Sequence, residues 1–172
     1  YANKVLRLNP KHAGSFNSLA QISVAENQLD EGIEYFERAS ELDPDNSVIF
    51  FNIGRALMRR RRDEEALEAF QKGMELDSSK PEYFTLFATT LRMIGKIEES
   101  ESFLRAALKT LPDDPILLTE LAVNLQYQYE FDESEALARK IFDKNPDFVS
   151  VLKVLAIVLI QTGEEDEVLE LY

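Results

Sequence analysis

Apolar side chains recur along this chain at spacings of three and four residues, in runs of about 14 residues, or roughly four helical turns. In the run that begins at Ser47, the residues Phe50, Ile53, Gly54 and Leu57 are separated by three, one and three positions. Such spacings place side chains on one face of an α-helix. A second run follows each of these, opens with acidic residues and carries an apolar face of its own. The pattern predicts pairs of amphipathic helices.

The pattern repeats with a period of 34 residues. The first helix of each pair carries a small residue at this period: Ala20, Gly54, Ala88, Ala122 and Ala156. Prolines at the same period mark the end of the second helix: Pro10, Pro44, Pro112 and Pro146, with Ser78 in the remaining place. The period predicts complete units at 13–46, 47–80, 81–114 and 115–148, a truncated unit at 149–172, and the end of a preceding unit at 1–12. A fixed period of this length is typical of repeat architectures.

The turn inside each unit is predicted from the residue that follows the first helix: Asn27, Arg61, Gly95, Tyr129 and Gly163. Glycine and asparagine suit the left-handed conformation that ends many helices. Arg61 and Tyr129 suit it less well, so we expect irregular turns there. Between units, Pro44 ends one helix and Asn46 is placed to cap the next.

The second helix of each unit begins with two adjacent acidic residues: Asp30-Glu31, Glu64-Glu65, Glu98-Glu99, Asp132-Glu133 and Asp166-Glu167. Carboxylates in a first turn offset the positive end of the helix, and neighbours diverge by about 100°. We interpret them as structural and not as metal ligands. The single histidine, His12, lies in a predicted turn, and no catalytic triad, phosphate loop or metal-ligand spacing occurs. We therefore expect a non-enzymatic protein without a cofactor or a metal.

The amino-acid composition limits the classes of partner that the protein can bind. The chain has 172 residues, 45% of them hydrophobic, and a net charge of −13, which disfavours nucleic acid and anionic membranes as partners. No run approaches the roughly 20 apolar residues that span a bilayer, so we expect no membrane insertion. The chain has no cysteine, which excludes disulfides and thiolate metal sites. It begins at Tyr1 without an initiator Met, and we expect a piece of a longer protein. The compartment stays open, with the cytoplasm as the working expectation.

These residues resemble the tetratricopeptide repeat, a 34-residue helix–turn–helix. Unit 47–80 shows the family pattern best, with Phe50, Ile53-Gly54, Leu57, Ala66, Phe70 and Gly73. The resemblance covers the whole chain and implies an all-α fold, a right-handed superhelical solenoid of stacked antiparallel helix pairs. It also implies a scaffold for protein–protein interaction, in which the first helices line a concave groove that binds a peptide or protein segment.

The groove is predicted from first-helix positions that face away from the apolar side. The candidate peptide-binding residues are Asn17, Gln21, Phe51, Asn52, Arg55, Arg59, Leu86, Thr89, Arg92, Met93, Val123 and Tyr127. Some family members grip the acidic tails of heat-shock chaperones with a clamp of Lys, Asn and Arg. The equivalent places here hold Asn17, Gln21, Asn52, Glu82 and Leu86, and only Asn52 matches, so we predict no such clamp.

Two features of this face allow more than one interpretation. Arg55, Arg59 and Arg92 could form a basic patch for a carboxylate or phosphate, or belong to a solvated run at a helix C-terminus. The face is also partly apolar: Leu86, Met93, Ile116, Val123, Tyr127, Val154, Ile157 and Ile160. The helix predicted over 149–160 is apolar nearly all round and could meet further repeats, a partner or a second copy. The alternatives to a peptide-binding scaffold are therefore a substrate-docking accessory domain of a larger enzyme, such as a transferase, and a self-assembly module.

Overall fold

A computed structural model describes residues 12–168, and within them every regular element is an α-helix. The helices are α1 (Ala13–Ala25), α2 (Leu29–Leu42), α3 (Ser47–Arg60), α4 (Asp63–Leu76), α5 (Pro81–Met93), α6 (Ile97–Ala107), α7 (Pro115–Tyr127), α8 (Phe131–Lys144), α9 (Val149–Thr162) and α10 (Glu165–Val168). The predicted all-α fold of repeated helix pairs is confirmed. The helix end predicted within 1–12 lies outside the described residues, His12 excepted.

The chain divides into two compact units, each longer than one 34-residue repeat. The first unit is Tyr1–Thr90 and the second unit is Leu91–Tyr172, so that the boundary falls within α5. In the first unit the core lies between successive helices. It is formed by Phe16, Ala20, Ile33, Phe36, Ala39, Ile49, Ile53, Ala56, Leu57, Ala66, Ala69 and Phe70. The small residues at the repeat period permit this packing, since Gly54 lies directly against the buried ring of Phe70.

In the second unit a core cluster forms around α7, α8 and α9: Leu118, Ala122, Ala138, Ile141, Val151, Val154 and Leu155.

Outside this core, Arg105 on α6 binds Glu101 Oε1 through Nε at 2.6 Å and Glu133 Oε1 through Nη2 at 2.8 Å. Gln128, just after α7, donates to the other oxygen of Glu101 at 2.6 Å. These bonds, that of Gln128 first, lower the pKa of Glu101 below its usual value. One carboxylate thus joins α6 to the end of α7.

Four of the five first helices bury one more residue than the sequence pattern predicts. Third positions of the units are buried at Ile49, Tyr83, Leu117 and Val151. In the first unit the Tyr83 hydroxyl also lies 3.2 Å from Ser47 Oγ. Four of the five third positions are large and apolar or aromatic, and this signal could have been found in the sequence.

The turn inside each unit has the same main-chain geometry in all five places. Its central residue is left-handed, with φ between 63° and 86°, whether it is Asn27, Gly95 and Gly163 or Arg61 and Tyr129. The expected irregularity at Arg61 and Tyr129 was therefore wrong. The reason is a backbone hydrogen bond of 2.8–3.0 Å, from the amide after the central residue to the carbonyl five residues earlier, which closes every one of these turns.

The connections between units are closed by side chains. Asn46 caps α3 by accepting from the amide of Val48 at 3.2 Å, as predicted. Asp114 caps α7 by accepting from the amides of Ile116 at 3.0 Å and Leu117 at 2.9 Å, with Pro115 as the first residue of the helix. Acidic residues lie in the first turns of α2, α4, α6 and α8, where the helix dipole favours negative charge.

Candidate functional site

The face formed by α1 and α3 contains a depression of about 240 Å³ in the first unit. It is lined by Gln21, Val24, Ala25, Phe36, Asn52, Arg55, Ala56 and Arg59. Four of these are residues predicted for the groove, and they come together because equivalent turns of the two first helices lie side by side. The polar groups stand around a floor that includes the buried ring of Phe36.

Asn17 and Asn52 connect the two helices beside this depression. The Nδ2 atom of Asn52 donates to Oδ1 of Asn17 at 3.2 Å. Both side chains are half-buried and Gln21 is exposed. An amide offers both donors and acceptors, so this group can match the alternating N–H and C=O groups of a bound main chain.

The arginines of α3 and the turn after it differ in their charge partners. Arg60 pairs with Asp30 at 2.9 Å, Arg61 with Asp63 at 3.2 Å and Arg62 with Glu65 at 2.6 Å. The hydrogen bond with Arg62 lowers the pKa of Glu65, and Glu65 raises the pKa of Arg62.

Arg55 and Arg59, which line the depression, have no carboxylate within ion-pair distance in the described part of the chain. Arg59 instead donates to the carbonyl of Val24 at 3.0 Å, at the C-terminal end of α1. The guanidinium of Arg55 lies 5.8 Å from the ring centre of Phe51. The centre of the Phe51 ring is itself 4.6 Å from that of Tyr83 and 6.1 Å from that of Phe70. Phe51 therefore packs against neighbouring rings and is not free to contact a ligand with its whole ring. Arg55 is exposed and available to an outside anion.

Two further groove candidates of the first unit, Leu86 and Thr89 on α5, are half-buried. Leu86 packs against the first core. Neither residue lines the depression between α1 and α3.

In the second unit, Arg92 does not offer a free charge. Its Nη1 atom lies 2.6 Å from Oε1 of Glu120, with side chains only 11% and 18% exposed, and its guanidinium lies 5.1 Å from the ring centre of Tyr127. Met93 and Tyr127 are exposed, and Val123 packs against the second core. Arg92 is therefore a neutralised structural cation.

Fewer of the apolar residues predicted for the groove are exposed than the sequence pattern suggested. Val154 is 3% exposed and belongs to the second core, because α8 and α9 pack closely there. Ile157 and Ile160 remain half exposed. Reasoning from the sequence missed a depression beside them, of about 340 Å³, lined by Gln126, Tyr127, Tyr129, Phe131, Ile157 and Gln161. The available signal was Tyr129, a large aromatic side chain where three of the four other repeats have Gly or Asn.

Across residues 12–168, no group of three or more His, Asp or Glu side chains is arranged to hold a metal ion. None of the helices described is both long enough and apolar enough to cross a membrane.

Repeated helix pairs that expose one polar face define an α-helical repeat protein of the interaction-scaffold class. Residues 23–89 match the tetratricopeptide-repeat family. This match confirms, over that part of the chain, the resemblance drawn from the sequence. Repeats of this family generally mediate protein–protein contacts and are not catalytic.

Solved structures show the same fold. One is YrrB, described as a tetratricopeptide-repeat protein with an unusual peptide-binding site; it is 16% identical, with a TM-score of 0.67 over 99% of this chain and 88% of its own. Another is Pseudomonas aeruginosa PilF, 18% identical, with a TM-score of 0.75 over 99% and 78%. The Cut9–Hcn1 hetero-tetramer of the APC/C gives 14% identity and a TM-score of 0.80 over 99% of this chain and 34% of that one. No curated protein sequence matches.

Proposed function

We propose that the face of α1 and α3 binds an extended peptide segment of a protein partner and performs no chemistry on it. The observation that carries this proposal is the guanidinium of Arg55, which has no carboxylate partner and lines a depression together with the amide side chains of Gln21 and Asn52. Arg55 is exposed, and no carboxylate lies within ion-pair distance of it in the described part of the chain. Arg60, Arg61 and Arg62 of the same region are paired with carboxylates, whereas Arg59, like Arg55, is not.

The chemistry of the face suggests how a peptide is held. The side chains of Gln21, Asn17 and Asn52 form hydrogen bonds with the peptide main chain. Arg55 binds a carboxylate of the ligand through a bidentate ion pair. The ligand is then a segment with at least one Asp or Glu side chain or a free C-terminus. Long-range repulsion from the acidic protein opposes such ligands, so affinity comes from local contacts and not from electrostatic steering.

The test uses two fluorescein-labelled peptides of Gly and Ser that differ only in carrying two Glu or two Gln residues. We expect the Glu peptide to bind the protein more tightly, and Arg55→Gln to remove this preference, with a loss of about tenfold in affinity. Arg60→Gln is the matched control, since Arg60 lies in the same helix but is paired with Asp30. If both peptides bind equally, or if both variants lose the same affinity for the Glu peptide, Arg55 does not recognise a carboxylate of the ligand.

A further inference from the structure

A second surface lies in the second unit, where the end of α7, the turn after it and the start of α8 meet α9. Tyr127 and Tyr129 line a depression of about 340 Å³ together with Phe131 and Ile157. A neighbouring depression of about 380 Å³ shares Tyr129 and Phe131 and is otherwise lined by Glu130, Asp132, Glu133 and Thr162. An aromatic surface and an acidic surface therefore adjoin along the same two rings.

Folding does not account for the aromatic side of this surface. Tyr129 is 81% exposed, and its ring meets that of Phe131 edge-on, with the ring centres 6.1 Å apart. Its backbone is left-handed, with φ of 63°, a conformation that strains residues with a β-carbon. The equivalent residues Gly95 and Gly163 adopt it without strain. A strained residue whose large side chain is almost wholly in solvent points to a contact outside the unit.

The charges beside the rings favour one kind of occupant. Glu133 is paired with Arg105 at 2.8 Å, whereas Glu130 and Asp132 have no ion-pair partner within residues 12–168. Arg92 lies over Tyr127 but is neutralised by Glu120, so it adds no free positive charge. Aromatic faces and unpaired carboxylates together attract a cation, and the adjoining depression accepts an apolar side chain.

We propose that this surface binds a protein segment in which an apolar side chain lies next to Lys or Arg. The cation meets Tyr129 and the carboxylates of Glu130 and Asp132, and the apolar side chain lies between Tyr127 and Ile157. This surface shares no lining residue with the depression between α1 and α3, and its proposed preference for charge is opposite.

The probes are three labelled peptides of Gly and Ser, carrying Leu with two Arg, Leu with two Glu, or Ser with two Arg. By fluorescence anisotropy, the Leu–Arg peptide should bind about tenfold more tightly than either of the others. Tyr129→Gly should weaken this binding about tenfold and raise the urea midpoint of unfolding, because glycine relieves the strained turn. Weaker binding by a more stable variant cannot be attributed to unfolding.

Asn27→Gly is the matched control, because it changes the equivalent turn residue of the first unit and should leave binding unchanged. The double substitution Glu130→Gln with Asp132→Asn should abolish the preference for Arg over Glu. The proposal is overturned if Tyr129→Gly binds the Leu–Arg peptide as well as the parent protein does, or if the acidic peptide binds equally. It is also overturned if sedimentation shows a dimer that Tyr129→Gly dissociates, since the surface would then belong to a second copy.

Discussion

Replacing Gly54 by alanine tests the packing that sets the repeat. A β-carbon at position 54 would lie 2.4 Å from Cε1 of Phe70 and 2.6 Å from its Cδ1. Carbon atoms pack at about 3.5–4.0 Å, and the Phe70 ring is fully buried, so the overlap cannot be relieved by a side chain turning into solvent. Overpacking of this kind costs about 1–3 kcal/mol.

Gly73→Ala provides the reference, because both glycines are interior to helices of the first unit. A β-carbon at position 73 would meet nothing closer than 3.5 Å, and the equivalent residues Ala39 and Ala107 already carry one. Alanine gains about 0.5–1 kcal/mol over glycine in either helix. We therefore expect Gly73→Ala to raise the free energy of unfolding by about 0.5–1 kcal/mol. Gly54→Ala should lower that free energy by up to about 2 kcal/mol.

The difference between the two variants cancels helix propensity and leaves the steric term. Urea unfolding followed by far-ultraviolet circular dichroism gives both free energies, provided that the slopes agree. Combining Gly54→Ala with Phe70→Leu should recover much of the loss, as a positive coupling in a double-mutant cycle. The reasoning is refuted if Gly54→Ala is as stable as Gly73→Ala, or if the cycle shows no coupling with Phe70.

Two further predictions concern buried and paired charges. Asp63 is 5% exposed, one of its oxygens has no hydrogen-bond partner in the described part of the chain, and its counterparts in three other repeats are apolar. Asp63→Leu should therefore raise the free energy of unfolding by about 1–2 kcal/mol. Arg61→Ala leaves the Asp63 carboxylate unpaired and should lower the free energy of unfolding. Both changes are measurable by urea unfolding, and a loss of stability in Asp63→Leu would contradict the first. The pKa of Glu101 is lowered by its bonds from Gln128 and Arg105. Its stabilisation is therefore present above the unfolded-state pKa and is lost as pH falls through the folded-state pKa, so urea midpoints measured from neutral to acidic pH should fall less in Gln128→Ala than in the parent protein.

The helix pairs could be predicted because small and large residues recur at one period, and only helices satisfy spacings of three and four. The turns at Arg61 and Tyr129 were predicted wrongly from residue preference. Their left-handed geometry follows from main-chain bonds that the flanking helices impose, and these override the preference of one side chain. Periodicity also cannot say what covers a face, which is why Val154 was placed in the groove although neighbouring helices bury it.

Much of the candidate site could be anticipated, since Gln21, Asn52, Arg55 and Arg59 do surround one depression. What the sequence could not give is the partner of each charge. Arg55 and Arg60 look alike in the sequence, but a neighbouring repeat supplies Asp30 to Arg60 and no carboxylate to Arg55. Such pairings depend on contacts between residues about 30 positions apart.

The five turns closed by main-chain bonds have a consequence for how this protein can change. Because no side chain is needed to hold the turn, its central residue can be exchanged at a cost of about 1 kcal/mol without disturbing the core. A recognition residue can therefore move from one repeat to another without redesign of the helices. Transferring the segment 126–131 onto 58–63, two periods earlier, would place Tyr129 and its neighbours in the first unit. The five turns are in this sense equivalent positions, at which an exposed side chain can change while the packing of the helices stays the same.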